Sequence, residues 1–299
     1  MRTFFAALLW AGGASIACAQ EIGGTRPTYL EAVTPSVPNI DALGRRLWTP
    51  SLDDGFVPQG LTIVGSYVLV SSYRPMPDLK SNTGPCRVFR IEVATGKPAG
   101  AFDLPTGECT HSGGLAYLGK GQLLLADTKQ IFRIDLDKAL VSGKAEGAMR
   151  AVKLAGELRG SFAGFDGRDA WIGTWTKEAG KARMFRLDPR LFDDYDGQTV
   201  DEKRGAVESL PIPREAQGLA FDAQGDPWVS ASSGSWGKLY HLDRKGAVKA
   251  EFEMVPGLED IEVDANGRLW GLSESGTRKY MHWPTRFPFI FEIDVARLK

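Results

Sequence analysis

Residues 218–222 read Gly218-Leu219-Ala220-Phe221-Asp222, and the Gly-Leu pair that opens them recurs along the chain. The copies are spaced 42 to 54 residues apart and read Gly60-Leu61, Gly114-Leu115, Gly164-Phe165, Gly218-Leu219 and Asp260-Ile261. Each interval holds short apolar runs separated by turns that contain Gly, Asn or Asp, with no helical period. A repeat of this length, built from short strands, is typical of the blades of a β-propeller. The sequence therefore predicts an all-β propeller.

The third strand of each unit is its clearest copy, because an aromatic and an aliphatic residue alternate with polar ones. The five copies occupy residues 88–92, 131–135, 184–188, 239–243 and 290–294. Period-two alternation places the aromatic and the aliphatic side chain on one face of a strand. Five copies predict five blades, and the alternative is a sixth, irregular blade formed by residues 20–44.

The last unit lacks a fourth strand, because the sequence ends at Lys299 shortly after residues 290–294. Residues 45–48, which read Arg-Arg-Leu-Trp, precede the first unit and have the pattern of a strand. We expect this N-terminal strand to complete the last blade and close the ring, which removes exposed sheet edges. The predicted organisation is a signal peptide at 1–19, an extended Pro-rich arm at 20–44 and one propeller domain at 45–299.

The first nineteen residues have the pattern of an export signal. Arg2 is followed by an apolar run at residues 4–10 and by Ala17-Cys18-Ala19, which resembles a cleavage site. The run is too short to span a bilayer, and no later segment is long enough. We therefore expect a periplasmic or secreted protein without a transmembrane segment; lipidation of Cys18 is the alternative to simple cleavage.

Two further cysteines, Cys86 and Cys109, fall in loops that a propeller brings together on adjacent blades. An even pair in an exported protein favours a disulfide, and two free buried thiols are the alternative. Charge is balanced, with 36 Lys and Arg against 37 Asp and Glu and a pI near 6.4. This composition argues against nucleic acid or an anionic membrane surface as a partner, and we expect a monomer.

Aligning the units predicts two rings of side chains at one mouth of the central channel. Two positions before each Leu, Phe or Ile of the repeat stand Gln59, Gly113, Ala163, Gln217 and Glu259. The second strands end at Ser72, Asp127, Trp175, Ser232 and Glu274. The long last loop, residues 275–288, adds further polar and aromatic groups, among them Arg278 and Trp283. We expect a ligand to be bound by Gln59, Ser72, Trp175, Gln217, Ser232, Arg278 and Trp283.

Three carboxylates of these rings, Asp127, Glu259 and Glu274, form a candidate metal site. Hard oxygen ligands of this kind suit Ca²⁺ or Mg²⁺, and Ca²⁺ is the expected cofactor if there is one. Nearby buried carboxyls raise one another's pKa, so general acid–base work is a second interpretation. A third is a polar plug without chemistry. His111, on a neighbouring loop, is the candidate catalytic base.

Residues 257–270, which read Gly-Leu-Glu-Asp-Ile-Glu-Val-Asp-Ala-Asn-Gly-Arg-Leu-Trp, resemble a repeat of the regucalcin/gluconolactonase superfamily. That resemblance implies a calcium-type propeller with lactonase or esterase activity, and carries over a metal-ligand role only for Glu259 or Asp260. A weaker similarity, at Gln59-Gly60-Leu61, Gly173-Thr174-Trp175 and Leu258-Glu259, is to the five-bladed glutaminyl cyclotransferases. That family has an acid where this chain has Gly113, and an aromatic residue where it has Ala163.

No complete catalytic signature accompanies these rings. The sequence contains no nucleophile elbow, P-loop, dinucleotide fingerprint or His-Glu-x-x-His. We therefore expect an exported propeller that binds a small molecule or a protein partner at a polar channel mouth. The alternative is a Ca²⁺-dependent hydrolase of a lactone or ester that uses the same pocket.

Overall fold

Five sheets, one for each predicted unit, make up the computed structural model, which describes residues 22–31 and 35–299. Blade 1 comprises β2 (Val57–Val64), β3 (Tyr67–Tyr73), β4 (Cys86–Glu92) and β5 (Pro98–Asp103). Blade 2 comprises β6 (Gly114–Gly119), β7 (Gln122–Asp127), β8 (Gln130–Asp135) and β9 (Met149–Leu154). Blade 3 comprises β10 (Phe162–Phe165), β11 (Ala170–Gly173), β12 (Arg183–Leu187) and β14 (Ala206–Pro211). Blade 4 comprises β15 (Ala216–Phe221), β16 (Pro227–Ala231), β17 (Trp236–Leu242) and β18 (Val248–Pro256). Blade 5 comprises β19 (Leu258–Val263), β20 (Leu269–Ser273), β21 (Phe289–Ile293) and β1 (Leu43–Trp48).

The ring closes as predicted, because β1 pairs antiparallel with β21 in the last blade. Leu47 lies opposite Ile290 and Trp48 lies opposite Phe289. The strand begins at Leu43, two residues before the sequence-based boundary. The described part of residues 20–44 adds only a bridge from Gly23 to Leu47, a short 3-10 helix and the start of β1. The fold is thus a five-bladed β-propeller, and the six-bladed alternative is not formed.

Three short helices depart from the expectation of strands alone. They are α1 (Leu136–Ser142), α2 (Leu191–Asp194) and α3 (Glu202–Gly205), all in connections to outer strands. None exceeds two turns, so none carries a readable helical period in the sequence. A fifth strand, β13 (Thr199–Val200), also pairs in parallel with β9 at the outer edge of blade 2.

The repeated glycine lies where the innermost strands meet around the axis. A Cβ added to Gly114 would lie 2.3 Å from the backbone nitrogen of Ala163 in the next blade. One added to Gly218 would lie 2.6 Å from the Cα of Asp260. Because both neighbours are backbone atoms, only glycine allows the blades to approach this closely. Among the described residues, no helix has the length and apolar character needed to cross a bilayer.

Candidate ligand site at the channel mouth

Asp260 takes the place of the repeated glycine in blade 5 and fills the axis with a carboxylate. Its Oδ2 accepts hydrogen bonds from the backbone nitrogens of Leu61, at 2.9 Å, and Leu115, at 3.2 Å. Its Oδ1 accepts one from the nitrogen of Ile261 at 3.0 Å. The side chain is fully buried and joins blades 1, 2 and 5. Burial raises the pKa of this carboxyl well above its ordinary value.

One position before this residue, Glu259 lies beside Glu274, each carboxyl acting on the pKa of the other, and both are nearly inaccessible, at 2% and 7% exposure. An amide from each neighbouring blade supports the pair. Gln217 donates to Glu259 Oε1 at 3.1 Å, and Gln59 donates to Glu274 Oε2 at 2.9 Å. The structure therefore brings four of the predicted site residues together in one row of interacting side chains that crosses blades 4, 5 and 1: Gln217, Glu259, Glu274 and Gln59.

Each of the two glutamates affects the ionisation of the other. Burial and the repulsion of Glu274 raise the pKa of Glu259 well above its ordinary value. Burial also raises the pKa of Glu274, to about 7, although Gln59, Glu259 and Lys279 all act to lower it. Two carboxyls in contact cannot both ionise at low cost, so the second proton leaves only near or above neutral pH. At neutral pH the site offers both a hydrogen-bond donor and an acceptor.

The loop of residues 275–288 covers the glutamate pair and is tied to blade 1 by one ammonium group. Lys279 Nζ donates to the hydroxyl of Tyr73 and to the carbonyl of Ser81, both at 2.7 Å, and to the side chain of Asn82. The next residue, Tyr280, lies beside them: burial and the charge of Glu274 raise the pKa of its hydroxyl. The loop, which connects β20 to β21 in blade 5, thus forms a cover that is anchored on blade 1.

Trp283, another predicted ligand contact, belongs to this cover. Its ring packs against Tyr280, with the two centroids 4.5 Å apart. It also lies over Gly257, where a Cβ would come within 2.9 Å of the indole. Arg278, by contrast, is directed to the turn between β1 and β2 and to the N-terminal arm. Its Nε donates to Asp53 O at 3.0 Å, and its guanidinium lies 4.5 Å from the Tyr29 ring centroid.

His111 lies beside this cover without touching the glutamates through a hydrogen bond. Its Nδ1 is 2.6 Å from the carbonyl of Asn82, which can only accept, so Nδ1 carries the proton and Nε2 is the free acceptor. Its ring lies 4.6 Å from that of Tyr73. Burial lowers the pKa of His111, so the imidazole is neutral at neutral pH.

Asp127, the third predicted metal ligand, is turned toward its own loop. Its Oδ2 accepts from the nitrogen of Thr110 at 2.8 Å, and its Oδ1 accepts from the nitrogen of His111 at 3.1 Å. Burial raises the pKa of the Asp127 carboxyl, and these backbone donors act against that rise. The structure places Asp127 as a clamp on the loop before β6 and does not join it to the glutamate pair.

Among the described residues, one trio of potential metal ligands lies within 4.8 Å: Asp222, Asp226 and His241, in blade 4. Its members already have partners. His241 Nε2 lies 3.2 Å from Asp222, Lys249 Nζ lies 2.8 Å from Asp226, and the His241 ring stacks on Trp228. Lys249 neutralises Asp226, so this trio has the character of a structural ion-pair cluster.

The remaining predicted ligand contacts are spread over three blades. Ser72 is buried, and its hydroxyl finds no hydrogen-bond partner among the described residues. Trp175 donates from Nε1 to the backbone carbonyl of Ser232 at 3.3 Å, so these two residues meet between blades 3 and 4. In the pairing of β2 with β3, Ser72 lies opposite Pro58, the residue before Gln59.

The disulfide prediction is confirmed. Cys86 and Cys109 are bonded, with Cα atoms 5.7 Å apart, and both residues are buried. The bond links the start of β4 to the loop before β6, and so fixes the loop that carries His111 against blade 1. A buried disulfide is compatible with an extracellular, oxidising compartment.

Sequence reasoning missed Tyr73 and Asn82 as parts of the site. The sequence analysis chose the last residue of each second strand as a site residue and ended the first of these strands at Ser72. The strand extends one residue further, to Tyr73. Asn82 lies in the loop between β3 and β4, which has no counterpart of equal length in the other units. Its contacts with Lys279 and with His111 reveal its role.

The sequence matches no protein-family profile and no curated protein. Solved structures with a similar backbone include a gluconolactonase, at 17% identity and TM-score 0.39, over 80% of this chain and 79% of the other. Virginiamycin B lyase from Staphylococcus aureus has 15% sequence identity and a TM-score of 0.39, over 76% of this chain and 66% of the other. Hydrazine synthase from Kuenenia stuttgartiensis has 12% sequence identity and a TM-score of 0.40, over 81% of this chain but only 57% of the other. Likeness this low carries no argument about ligand or chemistry, and the propeller stands on its own strand pairings.

Proposed function

We propose that this propeller binds a small, polar, hydrogen-bonding molecule at the channel mouth, with the Glu259–Glu274 pair at the centre of recognition. The observation that supports the proposal is the direct contact of two buried carboxyls. Each is flanked by an amide from a different blade, Gln217 or Gln59. Ionisable groups with strongly shifted pKa values in a cleft are typical of binding and catalytic sites.

A purely structural role does not account for the pair. The blades are already joined at the axis one position further along the chain, where Asp260 accepts from Leu61 and Leu115. Burying a second and a third carboxyl beside it adds desolvation and repulsion, and the one further blade that they join, blade 4 through Gln217, could be joined by an uncharged side chain at lower cost. Groups that cost stability and lie at a channel mouth are better explained by a ligand that uses them.

The burial of the site favours a small molecule over a protein partner. Glu259 and Glu274 are recessed beneath the loop of residues 275–288, so a protein surface does not reach them. A pair that holds one proton can accept from one ligand group and donate to another, which suits hydroxyl, amide or lactone functions. Tyr280 and Trp283 supply an aromatic wall in the loop above.

Calcium is not part of this proposal, because among the described residues the ligand atoms of Asp127, Glu259 and Glu274 do not all lie within 4.8 Å of one another. Ca²⁺ requires six to eight oxygen ligands around charged carboxylates. Both oxygens of Asp127 accept from backbone nitrogens elsewhere.

We further propose that the protein acts outside the cytoplasm as a monomer, on the basis of the export pattern in residues 1–19, which lie outside the described residues.

A thermal-shift screen tests the proposal. Purified protein is heated with separate lactones, monosaccharides, amino acids and calcium chloride, since a ligand of the folded state raises Tm by mass action. We expect at least one neutral compound to raise Tm, and Glu274→Gln to abolish that rise. Glu146→Gln is the matched control, because Glu146 is exposed and makes no hydrogen bond among the described residues. A rise that persists in Glu274→Gln, or one seen with calcium alone, contradicts the proposal.

A further inference from the structure

A second concavity, lined by neither Glu259 nor Glu274, lies on blade 3 and on the connection that reaches it from blade 2. One wall is formed by the β9–β10 connection and by α3, and the other by the β11–β12 loop and by β14. The groove has a volume of about 820 Å³ and is open to solvent along its length. Its size falls within the range of small-molecule and oligomer sites.

Trp175 lines this groove, and the ammonium of Lys177 lies 5.9 Å from the centroid of its ring. Its backbone nitrogen donates to Ser161 Oγ at 3.0 Å, and its Nε1 donates to the carbonyl of Ser232 at 3.3 Å. The residue is nevertheless 37% exposed. An indole that is fixed through its Nε1 and left partly in water gains little burial, so the exposed part of the ring is available as a contact surface.

The charges around the groove are balanced. Its lining holds four acids and four bases, namely Glu157, Glu178, Glu202, Glu208, Arg159, Lys181, Arg183 and Lys203. Two arginines are fixed by local bonds: Arg159 donates to the carbonyl of Leu158 at 2.6 Å, and Arg183 donates to Ser209 Oγ at 2.6 Å. A lining with no excess of either sign does not select an anionic polymer.

Four charged side chains of the lining keep their hydrogen-bonding capacity free, and one of them is Lys203. Within residues 22–31 and 35–299, the carboxylates of Glu157 and Glu178 and the ammonium of Lys181 form no hydrogen bond or ion pair. They offer acceptors and donors on both walls near the exposed indole. The only other exposed large hydrophobic residue in the lining is Val207, so the groove lacks the aliphatic core of a protein–protein interface.

We propose that this groove binds a neutral oligosaccharide, with one sugar ring stacked on Trp175 and hydroxyls bound by Glu157, Glu178 and Lys181. Pyranose rings present an apolar C–H face to aromatic rings and a rim of hydroxyls to polar side chains. A fixed, exposed indole beside free carboxylates and an ammonium matches both parts of that chemistry. The net neutrality of the lining matches an uncharged chain better than an acidic one.

Isothermal titration calorimetry on the full-length protein tests this assignment. The probes are the hexamers of maltose-type, cellulose-type and chitin-type glycans, with heparin as the acidic comparison. We expect one neutral hexamer to bind, and Trp175→Ala to weaken it at least tenfold. Lys181→Ala, which removes only a free polar group, should weaken it several-fold and covers the case in which Trp175→Ala fails to fold.

Trp236→Ala is the matched control, because Trp236 is 40% exposed on blade 4 and does not line the groove. We expect it to bind the glycan as the wild type does. Glu274→Gln should also bind normally, which separates this site from the channel mouth. Absence of binding by all three neutral hexamers, tighter binding of heparin, or equal losses in Trp175→Ala and Trp236→Ala would overturn the proposal.

Discussion

Asp260 Oδ2 accepts a hydrogen bond from the backbone nitrogen of Leu115, 145 positions away in the sequence and two blades around the ring. The same oxygen accepts from Leu61 in the blade between them. A five-bladed ring has a narrow axis, and four of its five innermost strands carry glycine at this level. The fifth supplies a carboxylate that satisfies two backbone donors which the sheets leave unpaired.

Removing that carboxylate should destabilise the ring. Asp260→Ala leaves the nitrogens of Leu61 and Leu115 buried without acceptors, and each unsatisfied group costs about 1–3 kcal/mol. We expect the free energy of unfolding in urea to fall by roughly 3 kcal/mol. Asp260→Asn should lose less stability, because its amide oxygen can still accept hydrogen bonds from the nitrogens of Leu61 and Leu115. Asp54→Ala, at an exposed turn, should change little; a fully stable Asp260→Ala protein would refute this role.

The glutamate pair should make stability fall as pH rises. The folded-state pKa of Glu274 is about 7, above its ordinary 4.5, so the folded state binds the extra proton through that interval. The free energy of unfolding therefore decreases between about pH 4.5 and 7, by at most about 3 kcal/mol for one proton. Urea unfolding at pH 5 and pH 8 measures the decrease. Glu274→Gln cannot titrate, so its decrease should be smaller than that of the wild type; equal decreases would contradict the raised pKa of Glu274.

Lys279 should control the mobility of the cover. Lys279→Met keeps the apolar stem but loses the bonds to Tyr73, Ser81 and Asn82, so the loop of residues 275–288 loses its anchor on blade 1. We expect hydrogen exchange of the loop amides to accelerate at least tenfold, while amides of β15 and β16 stay protected. Lys245→Met, at an exposed turn, is the control. Unchanged exchange in Lys279→Met would show that packing of Tyr280 and Trp283 holds the loop.

The sequence was sufficient for the fold because its signals are periodic. Alternation fixes which residues of each third strand face a neighbouring blade, and the repeated glycine marks the axis. Ring closure by Leu47 opposite Ile290 follows from counting strands. The helices α1 to α3 escaped prediction because their lengths, seven, four and four residues, give no period.

The site was only partly predictable, because repeat alignment gives the position of a side chain and not its direction. Asp127 and Glu274 end equivalent second strands, yet Glu274 reaches Gln59 while Asp127 turns back to Thr110. The unpaired nitrogens of the loop before β6 decide the orientation of Asp127. No repeat pattern encodes them, because that loop is also shaped by the disulfide at Cys109.

The disulfide should contribute to stability mainly by restricting the unfolded chain. Cys86 and Cys109 are 23 positions apart, and closing a loop of this size is worth about 3 kcal/mol in the chain-entropy model. We expect the double variant Cys86→Ala/Cys109→Ala to lose about that free energy of unfolding in urea. Reductant should destabilise the wild type to the same level and leave the double variant unchanged. Because the bond also fixes the loop of His111 and Asp127, amides of residues 106–112 should exchange faster in the double variant. Full stability without the bond would show that Asp127 alone, through its hydrogen bonds to Thr110 and His111, holds this loop.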